Sequence, residues 1–423
     1  MREIKPQLNY VPVDLAKKNM SFDSFTPDSN PAYNDAMTPK FNGRLAEKNF
    51  TDLVTNDDIR NKDADYIIGG RLFDAIVDVN GGGDYLTIQE AINSGKNRIF
   101  LRNGTYTISS TITVYSSNFI ILGESKDNSI IKIEDSVAND FKAISVGNGT
   151  TAYSNIVIEN LSVDGNIANQ GASTGQSAIN IDKCSDVRIN NCNFYDIAGS
   201  GININDADVF RVFIENCYFT NTLVYAISIA GGAYSMWVVN NYMYTTTTNG
   251  PAIQVTSPSS NIIILNNLID GYQDGVSLTG ADKNIVSNNI IKNQSADGIY
   301  FNSSKYNNII GNNIESVGEN GINGDNLQYS TISQNVIKDS SQDTNNTYSD
   351  ILLAGLGVGQ HCVRNTITGN VIRATNANKS KYSIEEEDAN QDYNIISNNV
   401  CDGAVTASIL LSGANSIKSN NIE

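Results

Sequence analysis

Four short runs, "LNNLID" at residues 265–270, "SNNIIK" at 287–292, "GNNIES" at 311–316 and "SQNVIK" at 333–338, repeat one motif: an asparagine directly before an apolar residue. The motif extends in both directions. "IENLSV", "INNCNF", "IENCYF" and "VNNYMY" lie upstream, and "TGNVIR", "SNNVCD" and "SNNIE" lie downstream. The aligned asparagines are Asn160, Asn191, Asn216, Asn241, Asn267, Asn289, Asn313, Asn335, Asn370, Asn399 and Asn421, most of them 22 to 26 residues apart. Short β runs at that period predict a solenoid whose coils bury one another's inner faces. An asparagine at one place in every coil can bond its neighbours above and below, so its amide is satisfied inside the stack.

A second strand follows about ten residues after each asparagine. Its rungs are 178–182, 201–205, 226–230, 252–256, 275–279, 298–302, 321–325, 350–354, 383–387 and 408–412. Alternation with period 2 points the second and fourth member of each inward. Those positions are apolar except at Gly324 and Glu386. The second exception lies in "KYSIEEEDAN", residues 381–390, where acid stands in a slot that elsewhere holds isoleucine, valine or leucine.

This pattern resembles the right-handed parallel β-helix proteins: pectate lyases, polysaccharide hydrolases and bacteriophage tailspikes. The resemblance implies an all-β solenoid over residues 71–423. Thr87 and Glu90 have capping-box spacing and Gly95 sits where a helix C-cap glycine would, predicting a short helix that resembles the N-terminal cap of that fold. Residues 1–70 differ, with five of the seven prolines, at positions 6, 12, 27, 31 and 39. They read as an extended arm suited to virion attachment or subunit contact.

A net charge of −17 argues against nucleic-acid and anionic-membrane partners. No apolar run reaches the roughly 20 residues of a membrane span. The N-terminus lacks the apolar core of a secretory signal. Five scattered cysteines give neither a zinc motif nor a disulfide scaffold. Cys192 and Cys217, one coil apart, read as small buried hydrophobes, with a disulfide sterically permitted. His361 and Cys362 are strand neighbours whose side chains cannot face each other. Gly81–Gly83 lacks the lysine and hydroxyl residue of a phosphate loop.

Asp325, Asp350, Glu385 and Glu387 are the candidate catalytic residues. At about 4.8 Å per rung, carboxylates one or two rungs apart stand roughly 5 or 10 Å from each other. Glycoside hydrolysis uses separations of about 5 to 9.5 Å. Asp182, Asp206 and Asp208 are candidate ligands for a hard cation such as Ca²⁺, with Arg188 and Arg211 near in sequence. A solvated acidic surface is the competing reading of both groups. Tyr218 and Trp237 are candidate sugar-stacking residues, while Phe194, Phe219 and Tyr244 are expected to form an internal ring stack. The Gly-His-Gly signature of polygalacturonases and the Asp-Pro-His motif of alginate epimerases of this fold do not occur, so neither activity carries over.

The leading reading is a phage tail spike or appendage protein that binds, and as a depolymerase cuts, a bacterial surface polysaccharide. The arm and the uncapped last rung favour it. The resemblance implies a homotrimer joined to other tail proteins through the arm. A free-standing secreted lyase or hydrolase and a non-catalytic glycan-binding solenoid are the alternatives. Residues after position 70 carry 19 basic against 34 acidic side chains, a net −15. That balance favours a neutral glycan, or a polyanion bridged by a cation.

Overall fold

The computed structural model describes residues 72–171, 175–247, 250–355, 357 and 359–423; the arm expected over residues 1–70 lies outside them. Three parallel sheets run the length of the solenoid. The first has 14 strands, from Ala75–Val77 to Ile417–Ser419. The second, from Gly104–Ile108 to Val400–Asp402, and the third, from Ile112–Val114 to Ala407–Leu410, have 12 each. One coil shows the path: Asn193–Ile197 in the second sheet, Ser200–Asn205 in the third, then Phe210–Glu215 in the first. Each strand pairs in parallel with its counterpart one coil on, so residues 20 to 40 apart in sequence become neighbours across one rung.

The third sheet carries the second strand of the repeat in the expected register. Ile179, Ile202, Ile227, Ile253, Val276, Ile299, Ile322, Ile351, Ile384 and Ile409 form one inward column. All ten are buried. Before the first full coil, Ile88–Asn93 forms the expected helix. Its cap is reciprocal: Glu90 N donates to Thr87 Oγ1 at 3.3 Å, and Thr87 N donates to Glu90 Oε2 at 3.2 Å.

The asparagine column differs from expectation at four places. The ladder consists of Asn241, Asn267, Asn289, Asn312, Asn335, Asn370 and Asn399, all buried, and ends at the half-buried Asn421. In the three coils before it, Leu161, Cys192 and Cys217 fill the same slot. Asn160, Asn191 and Asn216 sit one residue earlier, in left-handed backbone with φ of 60°, 51° and 56°. Asn240, Asn266 and Asn288 hold that turn position in the next coils. The two asparagines of "NN" therefore serve different ends: the first tolerates the left-handed turn, the second bonds inside the stack. A coil with a single asparagine does not declare which it has. Asn313 is the strand residue after the ladder and is exposed.

The same one-residue offset moves the ring stack. Phe194 and Phe219 do stack inside, with centroids 5.0 Å apart, but Met243 rather than Tyr244 follows them. A second internal ladder went unread in the sequence. Asn284, Asn307, Asn365 and Asn394, with Ser330 and Ser416, bond from coil to coil at the entry to the first sheet.

Candidate functional site

The outer face of the third sheet gathers acidic and phenolic groups over four coils. The strands are Ile299–Asn302, Ile322–Asp325, Ile351–Ala354 and Tyr382–Glu386. One outward column reads Tyr300, Asn323, Leu352, Glu385; the next reads Asn302, Asp325, Ala354. The Tyr300 hydroxyl donates to Asp325 Oδ2 at 3.0 Å, and Asn302 Nδ2 donates to the Tyr300 oxygen at 3.2 Å. Burial pushes the Asp325 carboxyl above the usual carboxylate range, with the Tyr300 bond pulling the other way. Burial and the Asp325 charge push the Tyr300 phenol up to about 12.

Asp297 stands at the upstream end of this face. Its Oδ2 accepts from Asn323 Nδ2 at 2.9 Å, and its Oδ1 accepts from the Asn320 backbone and side-chain N–H groups, both at 2.9 Å. Burial pushes this carboxyl up to about 7 against the pull of those amides. Asp274, one coil earlier, accepts from Asp297 N at 3.1 Å and is pushed up to about 6, again mainly by burial. Asn323 Oδ1 is buried and has no hydrogen-bond partner. The recurring Asp-Gly before the strand, at 274–275 and 297–298, was the available signal for this pair.

The four expected catalytic residues do not all meet here. Asp325 and Glu385 face the third-sheet surface, where Glu385 accepts from Lys381 Nζ at 3.3 Å and from the Ser349 hydroxyl. Glu387 is exposed and accepts from Gly355 N at 3.3 Å. Asp350 lies inside. It occupies the inner corner that Gly321 and Gly298 hold in preceding coils, and Ser380 Oγ donates to its Oδ2 at 2.7 Å. Its Oδ1 has no partner, and burial pushes the carboxyl up to about 7. Asp350 has no exposed surface and bonds to buried Ser380, whereas Asp297, though buried, touches Asn323 of the outer face.

Glu386 is also inside and fully buried, in line with Leu353 of the coil before. The strand does not bulge to expel it. The carboxylate accepts from Ser412 N at 2.9 Å, Gly413 N at 2.8 Å, Asn394 Nδ2 at 2.9 Å and Ser416 Oγ at 2.7 Å. Acid in the apolar file thus anchors the following turn.

Asp182, Asp206 and Asp208 turn to separate partners. Asn180 Nδ2 donates to Asp182, Asp208 N donates to Asp206 Oδ1 at 2.8 Å, and Lys183 Nζ pairs with Asp208 at 3.0 Å. Burial raises the Asp182 carboxyl, opposed by Asn180 and reinforced by the Asp206 charge. Arg188 is held by Glu215 and Arg211 by Asp186. Among the described residues no group of three or more His, Cys, Asp or Glu side chains is arranged to hold a metal ion. All five cysteines are free and buried.

Tyr218 and Trp237 lie on different sheets, the second and the first. Tyr218 is 46% exposed, with Lys126 Nζ 3.9 Å from its ring centre. Trp237 stacks on Phe213 at 4.5 Å with planes 5° apart, so one of its faces is already covered. Neither shares the third-sheet face with Asp325.

The stacked parallel coils define a right-handed parallel β-helix of the pectate-lyase-like kind. The family model described as "Right handed beta helix region" matches residues 251–422, and "Rhamnogalacturonase A/epimerase, pectate lyase-like" matches 81–277. In sequence the chain is related to the pre-neck appendage proteins of Bacillus phages phi29 and PZA. It is 24% identical to each over 257 residues, covering 55% of this chain and 29% of theirs. The chain thus spans less than a third of the length of these curated relatives. Its fold is shared with the A-module of mannuronan C-5 epimerase AlgE6 from Azotobacter vinelandii. That match has a TM-score of 0.71 at 16% identity and covers 79% of this chain and 92% of that one. The fold is also shared with the Dettilon tailspike protein, with a TM-score of 0.57 at 19% identity over 78% of this chain and 63% of the other. No helix among the described residues is long and apolar enough to cross a membrane.

Proposed function

We propose that the chain is the glycan-recognising solenoid of a virion-borne phage appendage, and that it hydrolyses its receptor polysaccharide on the third-sheet face. The relationship to phage appendage proteins supports the setting. One observation carries the chemistry: two carboxyls with raised pKa lie beside the Tyr300–Asn323 pair, Asp325 on the outer face and Asp297 buried at its edge, bonded to Asn323. Asn323, which touches Asp297, and Asp325 are two positions apart on one strand, about 7 Å along it.

In this reading Asp297, which holds its proton nearest neutral pH, protonates the leaving glycosidic oxygen. Asp325, whose ionised form the Tyr300 hydroxyl favours, takes a proton from the attacking water. The leaving oxygen displaces the Asn323 amide from Asp297 Oδ2, and Asn323 Oδ1 is free to accept from a sugar hydroxyl. Assembly as a homotrimer and attachment through residues 1–70 belong to the same proposal. Light scattering on the intact protein tests the first.

Digestion of purified bacterial surface glycans tests the chemistry. Shortened chains without a near-ultraviolet unsaturated product support hydrolysis. An unsaturated product would replace it with elimination, and no shortening with any glycan would leave binding alone.

A further inference from the structure

From Asn118 to Tyr393, each coil turns from the third sheet into the first through one residue in left-handed backbone. Earlier coils hold Asn118, Asn155, Asp186, Arg211, Ser235 and Asn261 there, with φ between 53° and 60°, so Arg211 is the one bulky side chain among them. Asparagine tolerates that region. In four successive later coils the same corner holds Tyr306, Tyr329, Arg364 and Tyr393, with φ of 58°, 53°, 57° and 58°. Bulky side chains are strained in this conformation, and asparagine or glycine would relieve it. Strain of this kind persists where the side chain has a use.

The four side chains form an exposed stack along the solenoid axis. The rings of Tyr306 and Tyr329 lie 5.2 Å apart with planes 19° from parallel. The Arg364 guanidinium carbon is 5.6 Å from the Tyr329 ring centre and 5.3 Å from that of Tyr393. Arg364 Nη1 also donates to the Tyr329 hydroxyl at 3.1 Å. Lys283 holds the corner one coil before Tyr306, and Lys305 precedes Tyr306 in sequence.

This corner brings together three cations that no carboxylate among the described residues holds. Lys132, Lys183, Arg188, Arg211, Lys292 and Lys338 are each held by a carboxylate. Lys283, Lys305 and Arg364 make no ion pair with any described residue. The corner's own acids are committed to the fold: Asp282 accepts from Lys305 N at 2.8 Å, and Asp392 accepts from Tyr393 N at 2.8 Å and from Asn415 at 2.6 Å.

We propose that this column is a binding track for a glycan that carries anionic groups, carboxylate or phosphodiester. Arg364, lying between two rings, presents its remaining N–H groups to the acidic group, a side chain suited to bidentate recognition. Tyrosine hydroxyls and ring edges meet the flanking sugar hydroxyls at little cost in side-chain freedom. The negative charge of the chain disfavours a polyanion in general, and at this corner three unpaired cations beside a ring stack offset it locally. The inference rests on the glycan reading above and adds the charge of the polymer.

The test is titration calorimetry on the intact protein with three probes: polygalacturonate oligomers, a glycerol phosphate polymer and neutral dextran. An anionic probe is expected to bind more tightly than dextran, to weaken as salt rises, and to lose at least tenfold in affinity with Arg364→Gln. Which anionic probe binds tells carboxylate from phosphodiester. Tyr393→Asn is expected to keep or raise the melting temperature while lowering affinity, because it relieves the backbone and removes a ring. Equal binding of dextran, no binding of either anionic probe, or unchanged affinity in Arg364→Gln overturns the proposal. So does a Tyr393→Asn protein that melts earlier yet binds as before. Digestion at the third sheet is read separately, by product release, so failure of one leaves the other standing.

Discussion

Asn335 Oδ1 accepts two hydrogen bonds from Asn312, one from its backbone N–H at 2.9 Å and one from Nδ2 at 3.0 Å. Asn335 in turn donates Nδ2 to Ile309 O at 3.1 Å and to Asn370 Oδ1 at 3.0 Å. Both amide ends are thus fully used in a buried site. Replacing Asn335 with alanine strands partners in two neighbouring coils. A loss on the order of 3 kcal/mol is expected, because each buried polar group left unpaired costs about 1–3 kcal/mol. Urea denaturation measures it.

Asn241 begins the ladder, next to Cys217. Its Oδ1 serves one donor, Cys217 N, whereas Asn312 Oδ1 serves both N–H groups of Asn289. Asn241→Cys extends the upstream pattern by one coil and should destabilise less than Asn312→Cys. Equal losses would show that position along the ladder is irrelevant.

Glu386 looks like an error in an apolar file, so Glu386→Leu is the natural repair. The structure predicts the reverse. Removing the carboxylate leaves Ser412 N, Gly413 N, Asn394 Nδ2 and Ser416 Oγ without their acceptor. Thermal melting should fall by several degrees despite the gain in apolar volume.

The stability of the solenoid should decline as pH rises from about 4 to about 7. Asp350 and Asp297 are pushed up to about 7 and Asp274 to about 6, mainly by burial, against about 3.9 for an unfolded aspartate. Between those values the folded chain binds more protons than the unfolded one, so the stabilisation is complete below about 4 and is lost as pH passes the folded pKa. Asp350→Asn removes one such group. It should gain on the wild type between pH 4.5 and pH 8 by an amount on the order of a few kcal/mol, read from urea midpoints at the two pH values.

Asp325→Asn and Asp297→Asn should each slow glycan digestion by about 10²–10⁴-fold, the usual weight of a positioned acid or base. Glu387→Gln should change it only a few-fold, because that carboxylate is exposed and holds Gly355 N. Reducing-end assays on matched, folded samples decide between them.

Much of the architecture could be read before any coordinates. Ten inward positions of the third sheet aligned without error because an apolar residue in a period-2 strand has one buried place to go. Asparagine was harder, since Asn160 and Asn241 read alike and serve different physical ends. The candidate site was read in part. Asp325 and Glu385 fall on the outer column of the third sheet as expected from alternation, but Asp350 sits in a corner slot that points inward, where the preceding coils hold glycine. Asp297 was missed because its strand begins only at Ile299.

By itself the sequence determined the solenoid, its period and its inner file, since these follow from local alternation repeated coil after coil. Only the tertiary structure decided which polar side chains are walled in and which meet solvent. That depends on where each corner turns and on what the adjacent coil places above and below, distances no linear spacing encodes.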